Sequence, residues 1–381
     1  MLTARSTDAD APAASRRLAF TALPYFAAFA IPFCALCAAF ALNGIYPFGA
    51  TSVMLYDMPM QYVDFFGWLS EVLRGNANLL YSNAAGLGGG MFSLFTYYLS
   101  SPFNLLAAFW QPEDMPKFFS VLYLLKIPTA SITCLLFLRG RFLAPSAMSL
   151  HHAQQLCSNA PAHQHLVLTF LACSYALSSY TLGYASNIMW LDGVIMLPLA
   201  ALGVYRLVQR HASIWLFAAC ACAAIFNWYT GYMVCLYCVL YFFFELARAQ
   251  ESKGHRLKLC LRFGITMLFA VGASAVILLP TVLSLLGSKG GDLVGLSSFN
   301  EAGLLAHSPV AIPSLFTIGT LPGILPRNNM PAVVISAFVL VGVGIFFASR
   351  TISRRAKTAG GIFAALMVSS LAFPMWTTVW S

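Results

Sequence analysis

Residues 263–286 read FGITMLFAVGASAVILLPTVLSLL and contain no charged side chain. A helix needs about 20 mostly apolar residues to cross the hydrocarbon core of a bilayer. This stretch is long enough to do so. The fold therefore depends on how many similar stretches the chain contains.

Eight further stretches share this length and apolar character, although two of them are marginal. Together with the first they occupy residues 18–42, 118–138, 165–183, 193–209, 213–228, 231–247, 263–286, 331–349 and 361–380. The N-terminal stretch is too long for a typical signal sequence and has no clear cleavage site, so we expect a retained helix. The pattern predicts an all-α polytopic membrane protein with about nine transmembrane helices.

The composition supports the same class. Hydrophobic residues make up 60% of the 381 residues and charged residues 9%. Soluble domains have roughly 45–50% apolar and about 25% charged residues. A soluble fold cannot hide this much apolar surface, because its exterior has to be largely polar. The composition argues against a water-soluble enzyme, a nucleic-acid-binding domain and a disordered chain.

The basic residues predict the topology. With the N-terminus in the cytoplasm, 16 of the 21 Lys and Arg residues fall in inner segments, 4 fall in outer segments and Lys126 lies inside a span. This asymmetry follows the positive-inside rule. It predicts a multi-pass membrane protein with a cytoplasmic tail at residues 1–17 and a cytoplasmic loop at 139–164. Residues 43–117 and 287–330 are predicted to be outer loops. The net charge of +9 is then a topology signal, and no nucleic-acid partner is expected.

The first outer loop has two unusual segments. An apolar stripe at helical spacing predicts a short helix over residues 59–73 that lies along the membrane. The stripe consists of Tyr62, Phe65, Phe66, Leu69 and Leu73. Residues 91–110 are apolar enough to span, but a span here would invert the charge distribution of everything that follows. We therefore expect a re-entrant or interface-lying hairpin.

Asp57 is the strongest functional candidate from the residues alone. An ionisable group at the membrane edge beside Tyr56 and Tyr62 is a candidate site, and desolvation there would raise its pKa toward that of a general base. A helix N-cap is the structural alternative, because Asp57 precedes Pro59 in a predicted first turn. Spacing alone favours the cap. Asp64, two turns along, is expected to face solvent.

Lys126 and the His-rich segment 139–164 are two further candidates for function. Lys126 lies inside a span, where it either binds an anionic ligand or extends its ammonium group to the membrane surface. Residues 139–164 are rich in His, but their spacing matches no standard zinc pattern. We expect a flexible loop there and no metal site.

Several motifs, in order along the chain, resemble those of one family. They are DMPMQY at 57–62, GLG at 86–88, YYLSSPFN at 97–104, MWLDG at 189–193, NWYTGYM at 227–233, LP at 279–280 and SK at 288–289. This order is similar to that of the bacterial YfhO family from about residue 20 to the C-terminus. The resemblance implies a multi-pass protein of the bacterial plasma membrane. That family is usually longer, so we expect residues 18–381 to be a transmembrane domain that is incomplete at its C-terminus.

The resemblance also implies a function. The YfhO family resembles the GT-C class of membrane glycosyltransferases, which have interface-lying helices in the first outer loop. The resemblance implies transfer of a sugar from a polyprenyl-phosphate donor to a cell-wall polymer such as lipoteichoic acid. It also implies that the acidic residues Asp57 and Asp192 are catalytic. The expected substrate-binding residues are Gln61, Tyr62, Arg74, Lys126, Trp190, Lys289 and Arg327.

Three points stay open at this stage. A cofactor is not identified by the sequence, and a divalent cation held by Asp57 and Asp192 is one way to neutralise the phosphate. A multi-span transporter or lipid flippase explains the spans equally well. A non-catalytic partner in envelope assembly is the third alternative.

Overall fold

The computed structural model describes residues 10–85, 88–143, 161–249, 251–286 and 337–372. Most of these residues are helical. The α-helices are α1 Asp10–Leu42, α2 Val63–Leu73, α3 Phe92–Leu94, α4 Met115–Phe142, α5 Ala162–Ala176, α6 Ser179–Gly183, α7 Leu191–Arg210, α8 Ile214–Phe226, α9 Trp228–Arg248, α10 Lys253–Leu286, α11 Ala337–Ala348 and α12 Arg354–Ala372.

The first outer loop adds shorter elements to these helices. It contains π-helical turns at Met58–Tyr62 and Phe95–Leu99 and 3-10 turns at Pro102–Phe109 and Pro112–Asp114. It also contains the two strands of a small antiparallel ribbon, β1 Tyr81–Ser82 and β2 Gly89–Gly90.

The prediction of an all-α polytopic membrane protein is confirmed. Within the described residues, six helical stretches are long and apolar enough to cross a membrane. They are Ala22–Leu42, Pro112–Phe142, Ala162–Gly183, Leu191–Arg210, Trp228–Arg248 and Lys253–Ser284. The predicted span at 213–228 corresponds to the shorter apolar helix α8. The last two predicted spans are described only in part, as α11 and α12, so a total of nine stays a prediction.

Helices α4 and α7 form the centre of the bundle. Their most apolar stretches are 61% and 72% buried, against 22% for those of α1 and α10. The sequence of α7 permits this close packing because it carries small residues. A Cβ atom on Gly203 would lie 2.6 Å from the backbone of Leu216 in α8. Small residues at helix interfaces let backbones approach closely in membrane proteins.

The connections between helices gather at two ends of the bundle. At one end, which we call the outer end, Tyr62 contacts Asn187 of the α6–α7 connection. At the opposite, inner end, Arg141 at the end of α4 pairs with Glu245 near the end of α9. This alternation agrees with the map drawn from the basic residues. Which end faces the cytoplasm remains a prediction.

The predicted helix in the first outer loop is present as α2, preceded by the π-helical turn at Met58–Tyr62. Its apolar stripe, however, packs on protein. Phe66 is buried, with its ring centroid 5.1 Å from that of Phe119 and 6.1 Å from that of Phe118 in α4. Tyr62 and Leu69 are buried as well. The predicted helix is therefore confirmed and part of its stripe packs on α4, while its position along the membrane stays a prediction.

Residues 91–110 do not form a spanning helix. The chain there is divided into α3, a π-helical turn and the 3-10 turn at Pro102–Phe109. The 3-10 turn packs against α2. Non-α backbone at membrane depth is tolerated only when protein covers it or water reaches it. This broken segment agrees with the expected re-entrant or interface-lying arrangement.

Candidate functional site

Three sequence motifs that are far apart in the chain meet at the outer end. Ser101 donates a hydrogen bond of 2.7 Å to Oδ1 of Asp192, and Ser100 donates one of 2.8 Å to the carbonyl of Phe226. The side-chain amide of Asn227 donates to the carbonyl of Tyr97. The YYLSSPFN segment is thereby bound to both the MWLDG and the NWYTGYM segments.

Asn227 also fixes the start of α9. Its Oδ1 accepts hydrogen bonds from the backbone N–H of Thr230 at 2.7 Å and from the Thr230 hydroxyl at 2.8 Å. This is N-capping by a preferred residue type. Gly193 of α7 lies against the same threonine, because a Cβ atom at Gly193 would be 2.6 Å from the Thr230 Cβ. The motif residues are thus explained by packing and capping at this junction.

A buried ion pair lies at the centre of this junction. The Nζ atom of Lys126 is 2.7 Å from Oδ2 of Asp192 and donates a second hydrogen bond of 3.1 Å to the carbonyl of Ile188. The two side chains are 0% and 2% exposed. Lys126 therefore does not extend to the membrane surface. Its charge is balanced by Asp192, and the two oxygens of Asp192 are taken by Lys126 and Ser101.

The depth of this pair follows from helix geometry. At about 1.5 Å per residue, α4 continues for roughly 24 Å from Lys126 to its inner end and roughly 16 Å to its outer end. Helix α7 begins beside the pair, so the outer part of α4 extends beyond α7. The first outer loop packs on this extension, where the hydroxyl of Tyr123 donates to the sulfur of Met58 at 3.7 Å.

Asp57 lies next to Met58 and has an exposed side chain. It precedes the π-helical turn but makes no side-chain capping hydrogen bond. Its backbone carbonyl accepts from the N–H of Gln61 at 2.9 Å, and the Gln61 side chain is exposed. Asp57 thus occupies the predicted N-cap position ahead of Pro59, but its carboxylate does not serve as the cap. The expected burial is also absent, so the carboxylate is open to solvent and to a substrate.

The backbone just before Asp57 is strained. Tyr56 has a φ of 53°, in the left-handed region that bulky side chains rarely adopt. Strain of this kind costs of order 1–3 kcal/mol and concentrates at functional sites. The strain at Tyr56 therefore supports Asp57 as a candidate functional residue.

The charge of Asp57 acts on two phenols, the buried Tyr62 and the partly buried Tyr98. Burial is the main cause that raises the pKa of Tyr62, and Tyr98 and the negative charge of Asp57 add to it. The pKa of Tyr98 is raised by burial first, then by Tyr97 and Asp57. Both phenols therefore stay protonated at neutral pH and remain hydrogen-bond donors. Tyr62 uses its hydroxyl to donate to Oδ1 of Asn187 at 3.2 Å.

From Tyr62, aromatic rings continue across the outer end. We call this series the aromatic row, and its successive ring centroids are 4.6–6.0 Å apart. Its members in spatial order are Tyr62, Tyr98, Tyr97, Tyr229, Trp190, Tyr184 and Tyr180. Most of these rings are only partly buried. The row therefore offers ring faces to a ligand that approaches Asp57.

A cavity of about 400 Å³ lies beside the far end of the aromatic row. Tyr180 and Trp190 line it together with apolar residues of α7 and α9 such as Leu197 and Val234. The indole N–H of Trp190 is buried and has no hydrogen-bond partner in the described part of the chain. The cavity thus combines mainly apolar walls with the hydroxyl groups of lining tyrosine, serine and threonine residues.

Arg74 is engaged in holding the first outer loop together. Its guanidinium donates to the carbonyl of Trp110 at 2.6 Å, to that of Ala108 at 3.2 Å and to the side chain of Gln111 at 2.8 Å. These bonds join the end of α2 to the 3-10 turn at Pro102–Phe109. Lys289 and Arg327, the other two cations expected to bind phosphate, lie outside the described residues.

The residues present do not fit the divalent cation considered for Asp57 and Asp192. Both oxygens of Asp192 already accept hydrogen bonds, and the Lys126 ammonium beside them would repel a second cation. Within the described residues, no group of three His, Cys, Asp or Glu side chains could hold a metal ion. The His-rich segment lies mostly in residues that are not described.

Sequence reasoning missed the partners that organise the site. Ser101, Asn187 and Asn227 were not named as site residues, although two of them lie in the recognised motifs. Their role could not be read from spacing, because each bonds a residue more than 90 positions away.

Comparisons with known proteins agree on one family. The chain matches the family model described as "Bacterial membrane protein YfhO" over residues 27–381. It is 25% identical over 220 residues to the "Uncharacterized protein YfhO" of Bacillus subtilis (strain 168). That alignment covers 56% of this chain and 24% of the relative, so the chain matches about a quarter of the relative's length. No solved structure matches the chain.

Proposed function

The chain belongs to the YfhO family of bacterial membrane proteins, and we propose that it is a membrane glycosyltransferase of the GT-C kind. In this proposal it moves a sugar from a polyprenyl-phosphate donor to an acceptor hydroxyl at the outer end, such as one on a cell-wall polymer. The observation that carries the proposal is the exposed, uncapped carboxylate of Asp57 at the start of the aromatic row.

The aromatic row suits a lipid-linked sugar. One face of a sugar ring presents C–H groups that pack on an aromatic face, while tyrosine hydroxyls bond to sugar hydroxyls. The mainly apolar cavity beside Trp190, with a volume of about 400 Å³, could hold a segment of a hydrocarbon chain. A ligand with both parts would place its sugar toward Asp57 and its tail toward the cavity.

The proposed reaction is an inverting transfer. The acceptor oxygen forms a bond to the anomeric carbon as the bond from that carbon to the phosphate oxygen breaks. The electron pair of the broken bond leaves with the lipid phosphate, and Asp57 takes the proton of the acceptor hydroxyl. Such a base must lie within hydrogen-bond reach of the hydroxyl. Gln61, one turn from Asp57 and exposed, is proposed to bind the same substrate.

The departing phosphate needs positive charge nearby, because negative charge develops on it in the transition state. We propose Lys289 and Arg327 for this role. Lys126 and Arg74 are engaged with protein groups, so their proposed contribution is to hold the site in shape. Asp192 contributes in the same way, through Lys126 and Ser101.

A transfer assay in membranes tests the proposal. Membranes from cells that express the chain are supplied with labelled polyprenyl-phosphate sugars and with wall-polymer acceptors, and membranes from cells carrying an empty vector are the control. We expect labelled acceptor only with the protein present. Equal labelling in the control membranes would contradict the proposal.

A further inference from the structure

The inner end of the protein carries a second cavity, far from Asp57. It has a volume of about 710 Å³ and lies between α8 and α10. Its lining includes Ile214, Lys258, Leu261, Arg262, Ile265 and Phe269. Two cationic side chains and an apolar wall are combined here, and the lining contains no carboxylate. The proposed glycosyl transfer makes no use of this cavity.

The charged and apolar parts are arranged in order along α10. Lys258 and Arg262 are one turn apart near the start of the helix, while Leu261, Ile265 and Phe269 follow at the same spacing. Residues four apart lie on one helix face. From Lys258 to Phe269 the helix rises about 16 Å. The cavity therefore has a positive end at the inner surface and an apolar end that extends toward the middle of the bundle.

The two cations are available in different ways. Arg262 donates one hydrogen bond of 2.8 Å to the carbonyl of His211, which fixes its guanidinium while other N–H groups remain for a ligand. Lys258 is exposed and makes no hydrogen bond or ion pair to any described residue. Both therefore present positive charge to the cavity.

An interfacial residue marks the depth of this site. Trp215 follows the lining residue Ile214, is half-exposed and lies under the guanidinium of Arg206 at 4.4 Å. Tryptophan is enriched where the membrane meets water. The cationic end of the cavity is therefore at the level of lipid head groups, and its apolar end is at the level of acyl chains.

We propose that this cavity binds an anionic phospholipid, with its phosphate at Lys258 and Arg262 and one acyl chain along Leu261, Ile265 and Phe269. Basic pockets between helices recognise anionic head groups. The apolar wall favours a lipid over a free anion, because hydrocarbon gains by leaving water. This inference is independent of the proposed glycosyl transfer.

The test uses the chain purified in detergent. Phosphatidylglycerol, phosphatidylcholine with the same acyl chains, and inorganic phosphate are titrated separately, and retained ligand is counted by native mass spectrometry. The variants are Lys258→Gln and the double variant Lys258→Gln/Arg262→Gln. The control is Lys253→Gln/Arg350→Gln, which removes two exposed charges outside the cavity.

We expect phosphatidylglycerol to bind more tightly than phosphatidylcholine, and Lys258→Gln to weaken its binding about fivefold, since one basic residue near an anionic head group contributes about that much. The double variant should bind phosphatidylglycerol more weakly still, and the affinity of the control variant should stay within about twofold of the original. Lys258→Gln breaks no described hydrogen bond, so it tests the proposal even if the double variant fails to fold.

Three results would each overturn the proposal. The first is equal binding of the two lipids, which would indicate a purely apolar groove. The second is unchanged phosphatidylglycerol binding in Lys258→Gln. The third is inorganic phosphate that binds as tightly as the lipid, which would indicate a site for free anions.

Discussion

Lys126 and Asp192 are 66 positions apart in the chain, yet their ammonium and carboxylate groups meet at 2.7 Å in the interior of the bundle. Through this pair α4 is joined to the start of α7, and through Ser101 the pair is joined to the YYLSSPFN segment. The broken segment of the first outer loop is thus fixed to the two central helices. A site built on that loop depends on this pair for its shape.

Removing one partner of the pair should therefore destabilise the protein strongly. We expect Asp192→Asn or Lys126→Met to lower the free energy of unfolding by about 3–5 kcal/mol, because each leaves a buried group uncompensated. The double variant Lys126→Met/Asp192→Asn should lose much less than the sum of the two single losses, because it leaves no charge without a partner. Unfolding of the detergent-solubilised protein is measured by heating and by denaturant.

The matched control is the exposed ion pair between Lys117 and Asp114. Its groups are also 2.7 Å apart, but its side chains are 53% and 40% exposed. Lys117→Met should leave the free energy of unfolding nearly unchanged, because exposed ion pairs contribute little to stability. Strictly additive losses in the Lys126 and Asp192 variants would contradict the coupling inferred here.

A second prediction concerns the packing of α7 on α9. Gly193→Ala places a methyl group 2.6 Å from the Cβ of Thr230, inside a junction that has no room for it. Overpacking of this kind costs about 1–3 kcal/mol. Gly272→Ala in α10 is the control, because a Cβ atom there meets nothing within 4 Å. The control should leave stability unchanged or slightly increased. The melting temperature should therefore fall in Gly193→Ala and not in Gly272→Ala.

The helices and the site differ in how far the sequence predicts them. Long apolar stretches predict spanning helices because their length and composition match the hydrocarbon core of a bilayer. The spacing of Tyr62, Phe66 and Leu69 predicts a helix, but it cannot tell whether lipid or other parts of the protein cover these side chains. The partner of Lys126 could not be read either, since the pairing depends on how two distant helices pack. The exposure of Asp57 depends on the same long-range packing.

The third prediction is the orientation in the membrane. In a background without cysteine, Asn83→Cys in the first outer loop should react with an impermeant thiol reagent added outside intact cells. Ser252→Cys, between α9 and α10, should react only after the cells are opened. Both positions are exposed in the structure. The reverse labelling pattern would invert the map derived from the basic residues.

The fourth prediction concerns Asp57. Asp57→Asn should reduce sugar transfer by about 10²–10⁴-fold, the usual contribution of a positioned general base. Asn keeps the size of the side chain but cannot accept the proton. Because the carboxylate makes no capping hydrogen bond and is exposed, the melting temperature and the amount of inserted protein should not change.

Asp64→Asn is the control for this variant. Asp64 is also exposed and lies in the first turn of α2, so its replacement changes the charge of the loop by the same amount. Transfer should continue at nearly the original rate. Full transfer in Asp57→Asn would refute the proposed mechanism, and equal losses in both variants would mean that the loop's overall charge matters instead of a base. A loss confined to Asp57→Asn, in a protein that melts normally, would place the proton acceptor at this carboxylate, since charge, fold and insertion are matched by the control.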